Sequence, residues 1–102
     1  PVELLLAAIA GCSSVDVDAG TSRRSTPEVF EVLASALKQT EDGAVRLDDV
    51  EVDFDVRFPE DEQGAKAQKM VDRLIQLSEQ KDCTVSRTVE HPTKVSFHNL
   101  AD

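Results

Sequence analysis

Val50-Glu51-Val52-Asp53-Phe54-Asp55-Val56-Arg57-Phe58 is the stretch that decides the fold. Val50, Val52, Phe54, Val56 and Phe58 alternate with Glu51, Asp53, Asp55 and Arg57, so one face of an extended chain is apolar and the other charged. A half-buried strand of this kind belongs to an antiparallel sheet and needs a partner. Upstream, Glu41-Asp42-Gly43 is a turn signal, and residues 29–38 before it carry two periods at once. Val29, Val32, Leu33 and Leu37 have helical spacing behind Thr26-Pro27-Glu28, whereas Phe30, Val32, Ala34 and Ala36 alternate. The need for a partner favours the strand, and a hairpin of 29–38 with 45–58 is expected.

Beyond the hairpin, Pro59 to Gly64 reads as a polar loop. From Ala65 the positions Ala67, Met70, Val71, Leu74, Ile75 and Leu77 or Ser78 form the stripe of an amphipathic helix ending near Lys81. Val85, Val89, Val95 and Phe97 then suggest short strands around a turn at His91-Pro92. At the other end, residues 2–12 are apolar on nearly every face, the pattern of a helix buried all round. That helix is expected to run on through Val15 and Val17 toward Arg23 or Arg24, and Ser25-Thr26-Pro27 stops it. The order helix, two strands, helix, strand defines an α+β fold of a single domain over 1–102.

The chain has 102 residues, with 20 acidic against 11 basic side chains and a net charge of -9. Such a field repels phosphate backbones and anionic lipid, so neither nucleic acid nor a membrane surface is an expected partner. The apolar run before Cys12 falls short of the roughly 20 residues that span a bilayer. Its end, Ile9-Ala10-Gly11-Cys12, also has the form of a lipoprotein signal box, but a positively charged start is missing and Glu3 stands there instead. Pro1 has no Met before it, which fits either methionine processing or a piece of a longer chain. Two cysteines do not make a disulfide scaffold; they suit a reducing cytoplasm, where a thiol is an inert core residue or redox-active. No CxxC occurs, and His91 and His98 offer no ligand spacing, so no metal and no cofactor are expected.

Two motifs carry a resemblance. Pro1-x-Glu3-Leu4-Leu5-Leu6-Ala7-Ala8-x-x-Gly11-Cys12-Ser13-x-x-Asp16-Val17, followed far downstream by Leu77-Ser78-Glu79-x-Lys81-x-Cys83-x-Val85-Ser86, resembles the OsmC/Ohr family of osmotically induced and organic hydroperoxide resistance proteins. The resemblance implies an OsmC-like fold, an intertwined homodimer and thiol-dependent reduction of organic hydroperoxides. It casts Cys12 as the peroxidatic thiol and Cys83 as the resolving one, with a lipoyl-type or other dithiol as reductant. Members of the family carry strands before the first helix, with an arginine that pairs with the peroxidatic cysteine; no residue here matches it. The family's acidic partner lies ten residues before the cysteine in one branch, where this chain has Val2, and nine before in others, where it has Glu3. Glu3 is therefore a third candidate, either catalytic or capping the helix start.

Dimerisation has a motive of its own, because two strands and one amphipathic helix cannot cover a helix that is apolar on every face. The competing reading is a non-catalytic OsmC-like dimer module that keeps both cysteines as packing residues and binds an apolar ligand at the subunit junction.

Overall fold

The structure, a computed structural model, describes residues 1–101. The element order is α1 (Val2–Thr21), β1 (Val29–Glu41), β2 (Ala44–Arg57), α2 (Glu62–Leu77), a π-helical turn (Ser78–Asp82) and α3 (Thr84–Glu90). β1 and β2 form one antiparallel two-stranded sheet, with Val29 opposite Arg57 at the base and Glu41 opposite Ala44 at the tip. The turn is Asp42-Gly43, both at positive φ (50° and 79°), which matches the right-handed twist of the strands it joins. The register shifts between Ser35 and Leu37, opposite Asp49 at φ 48°, which marks a bulge partway along the arm. The hairpin expected over 29–38 and 45–58 is present and is longer than the alternation alone indicated.

The core lies at the base of the hairpin. Val56 and Phe58 from the end of β2 pack with Ala67 and Val71 of α2, and Phe30, Phe54 and Ile75 close around them. The same alternation that marks β2 as a strand thus supplies the sheet side of the core. Gln68 fastens α2 to the sheet by accepting from the Phe58 amide at 3.0 Å and donating to the Val56 carbonyl at 2.9 Å. α2 begins at Glu62, inside the stretch expected to be loop. The reason is Asp61, whose carboxylate accepts from the Gly64 amide at 2.7 Å and caps the first turn. Replacing Asp61 by Ala should lower stability by about 1 kcal/mol. A thermal melt would then show a Tm fall of roughly 4–8 °C.

Two further expectations are corrected. α1 is not buried all round within the chain. Its buried positions Ile9, Ser13, Val17 and Thr21 recur every four residues on one face, while Leu4 and Val15 are 75% and 65% exposed. And the segment read as short strands from Val85 is helical over Thr84–Glu90. Val85 and Val89 are four apart, one helical turn, and both lie within that helix. Residues 92–99 form neither helix nor strand, and Val95 and Phe97 are 70% and 91% exposed. Among the described residues, no helix is long and apolar enough to cross a membrane.

Candidate active site

Cys12 sits midway along α1, partly exposed; Cys83 is fully buried at the junction of the π-helical turn and α3. The sequence between them folds so that α3 packs against α1, with the Val85 amide beside Cys12. Cys83 is the N-cap of α3, in extended backbone geometry, and its Sγ accepts from the Ser86 amide at 3.4 Å. Cysteine is an unusual cap, because a sulfur accepts more weakly than the oxygen of Ser or Asp. Ser13, the neighbour of Cys12 on α1, donates its hydroxyl to the Cys83 Sγ at 3.6 Å. The junction is held from below by Ser78, which is buried and donates to the Asp16 carboxylate at 2.7 Å, and by the Cys83 amide, which donates to the Ser78 carbonyl at 2.9 Å.

The two thiols are near enough to perturb each other's ionisation, in opposite directions. Burial pushes Cys83 up, but hydrogen bonding from Ser86, side chain and amide, and from Ser13 and Cys12 outweighs it and holds the thiol below its ordinary value. For Cys12 the Val85 amide pulls the pKa down. The hydrogen bond with Cys83, burial, and the negative charges of Cys83 and Asp16 together raise it above the ordinary value. None of the main influences on either thiol comes from a lysine or arginine.

Glu3 is not brought to this site. It stands in the first turn of α1 with its side chain exposed, its carboxylate 3.7 Å from the Pro1 amino group. Along the axis it is about 13 Å before Cys12. The residues that the sequence did not single out are Ser86 and the Val85 amide, which belong to the second motif but carry no signature of their own. Ser13 and Asp16 stood beside Cys12 in the first motif; the structure ties the one to Cys83 and the other to Ser78. His91 and His98 are exposed, and no three His, Cys, Asp or Glu side chains among the described residues converge to hold a metal ion.

Ser13→Ala should raise the Cys83 pKa, because it removes a donor that favours the thiolate. A pH titration followed by the Cys83 13Cβ resonance would read this as an upward shift, with Cys12 still titrating at the higher pH of the two.

A central helix that brings one cysteine beside a second held at a helix start, under a long hairpin, defines an OsmC-like domain. The family described as OsmC-like protein matches residues 1–98, and the chain belongs to that family. Among solved structures the fold is similar to a hypothetical protein from Aquifex aeolicus VF5, with a TM-score of 0.70 and 24% identity. The likeness covers 91% of this chain and 66% of that one, so the match spans about two thirds of that protein's length. Among curated proteins, none matches the chain.

Proposed function

We propose that the chain is a thiol-dependent hydroperoxide reductase that works through Cys12 and Cys83 as a homodimer, in a reducing compartment such as the cytoplasm. The observation that carries the reading is the meeting of the two thiols, with donors arranged to favour the thiolate of one of them. Cys12 is the more accessible and takes the oxygen. Its thiolate attacks the terminal oxygen of the hydroperoxide, the O–O bond breaks, and the alkoxide leaves as alcohol after taking a proton from solvent. The Cys12 sulfenic acid is then attacked by the Cys83 thiolate, which forms the disulfide and expels hydroxide, protonated to water. An external dithiol of the lipoyl kind reduces the disulfide and is itself oxidised. The lowered Cys83 pKa suits the second step, since it gives that thiol a larger thiolate fraction than an ordinary cysteine has.

The raised Cys12 pKa sets the pH dependence of the first step. Only the thiolate attacks, and below its pKa the thiolate fraction grows about tenfold per pH unit. The single-turnover rate with cumene hydroperoxide should therefore climb between pH 7 and 9 without a plateau. The experiment that tests the function is intact-mass analysis after one equivalent of hydroperoxide. A loss of two hydrogens, mapped to a Cys12–Cys83 peptide and reversed by dihydrolipoamide, is expected; two free thiols after the challenge would sink the proposal.

One observation favours a second reading. Cys83 is fully buried and its sulfur caps α3, a packing role that needs no chemistry. In that case the domain is a non-catalytic dimer module with an apolar ligand at its subunit junction, and the same mass experiment separates the two.

A further inference from the structure

Cys83 is anchored to α1 at two points, both next to Cys12. Its sulfur accepts from Ser13, the residue that follows Cys12. Its amide donates to the Ser78 carbonyl at 2.9 Å, and the hydroxyl of that same Ser78 donates to the Asp16 carboxylate at 2.7 Å. Asp16 stands four residues after Cys12, so the two are neighbours on the surface of α1. One serine thus ties the Cys83 backbone to the helix that carries the other thiol.

The second anchor depends on a change of helical register. The Ser78 amide still bonds the Leu74 carbonyl, four residues back. The Cys83 amide bonds the Ser78 carbonyl, five residues back, which makes Ser78–Asp82 a single π-helical turn. Had the α-register continued, that amide would reach Glu79 instead, and one residue of register turns a side chain by about 100°. In the register observed, the sulfur meets Ser13 and the Cys12 thiol. Ser78 stands where the register changes. It is the buried residue of the turn, 2% exposed, while Glu79 to Asp82 are all exposed. Its bond to Asp16 is therefore the one that can fix the turn against α1, shielded from competing solvent.

We infer that Ser78 and Asp16 are positioning residues for the resolving step: their hydrogen bond fixes the π-helical turn on α1 and so holds the Cys83 sulfur where it can join Cys12. The inference rests on the Cys12–Cys83 chemistry proposed above and gives it a device that acts through the Cys83 backbone. A disulfide tolerates little error in the placement of its two residues. Correct orientation of reacting groups, in turn, raises their effective concentration by orders of magnitude. The oxidised form needs the same placement, so a tie that maintains it in the reduced form favours the disulfide.

The test is the equilibrium of the whole chain with dithiothreitol. There the dithiol gives two electrons and two protons to the Cys12–Cys83 disulfide and closes to its own cyclic disulfide. Ser78→Ala should weaken the protein disulfide roughly tenfold or more, a rise of about 30 mV in its reduction potential. Asp16→Ala should match it, and the double variant should fall no further, because each change removes the same bond. Asp16→Asn keeps an acceptor oxygen for the Ser78 hydroxyl and should stay within about threefold of the parent. If circular dichroism shows Ser78→Ala unfolded, the two Asp16 variants make the same comparison. A Ser78→Ala constant within about twofold of the parent, or additive losses in the double variant, would overturn the positioning and leave the peroxidase reading standing. An Asp16→Asn protein as weak as Asp16→Ala would place the effect in the charge and overturn the hydrogen bond as its cause. A parent that holds the disulfide in this equilibrium but leaves hydroperoxide untouched would remove the peroxidase and not the positioning, since dithiothreitol needs no peroxide. A parent in which diamide forms no Cys12–Cys83 disulfide would overturn both.

Discussion

Cys12→Ser is expected to abolish hydroperoxide turnover, and Cys83→Ser to spare the first turnover and halt the second. A serine hydroxyl in place of the thiolate leaves no nucleophile of comparable strength. Loss of a nucleophile costs on the order of 10³-fold or more. In Cys83→Ser the first attack remains available, so stoichiometric peroxide is consumed at a rate within about threefold of the parent, provided the core holds. The product is then a Cys12 sulfenic acid with no partner thiol, and it persists long enough to be trapped by dimedone. Peptide mass analysis should find the adduct on Cys12 alone. The serine also keeps a hydroxyl at the α3 cap, which preserves the acceptor for the Ser86 amide. An adduct on Cys83 in the Cys12→Ser protein, with turnover retained, would reverse the assigned order of the two thiols.

Gly64→Ala should be the most damaging small substitution in the chain. A Cβ at Gly64 would be driven into the backbone carbonyl of Pro59, well inside contact distance, and a backbone group cannot swing aside as a side-chain tip can. Gly64 is buried, and its amide is the donor to the Asp61 cap, so relief of the clash would also pull the cap apart. Overpacking costs about 1–3 kcal/mol, occasionally more, and loss of the cap about 1 kcal/mol. A fall of about 3 kcal/mol corresponds to a Tm lowered by roughly 12 °C or more. Gly11→Ala is the control, since a Cβ there meets nothing within 4 Å. On a helix it should be neutral or stabilising by up to about 1 kcal/mol. Equal melts for the two variants would show that the Pro59–Gly64 approach is not a constraint.

Part of the fold is legible in the sequence itself. Val50 to Phe58 announced a strand because a period of two has no other use, and the stripe from Ala67 to Ile75 announced a helix for the matching reason. Residues 29–38 were ambiguous in isolation, since β-branched and alanine residues there satisfy both periods; the partner strand resolved them. The reading from Val85 onward went astray where tertiary position overrode propensity. Valines favour strands, but Cys83 caps the segment and four-residue spacing lets it lie as a helix on α1. α1 itself reads as buried all round because most of its first half is apolar, while only the face of Ile9, Ser13, Val17 and Thr21 is buried. At the site, the cysteines were found by motif, but Ser13, Ser86 and the Val85 amide act through position. A serine's hydroxyl or a main-chain N–H beside a sulfur leaves no periodic trace in a sequence.

The hairpin described above has one more consequence. The molecule extends 62 Å along its long axis against 28 and 21 Å across, while the core cluster gathers at one end of the hairpin. Strands near Phe30 and Val56 are clamped by α2, whereas the pairs from Lys38–Leu47 to Glu41–Ala44 contribute nothing to the core cluster. An isolated two-stranded ribbon is marginally stable in water. Free energy of opening is therefore graded along the arm, and the bulge near Ser35 divides a firmly held root from a fraying end. Amide hydrogens should record this as a ladder of exchange lifetimes, shortest at the tip and longest at Val56. The arm then works as a ribbon that zips from its root, its outer rungs forming last and parting first.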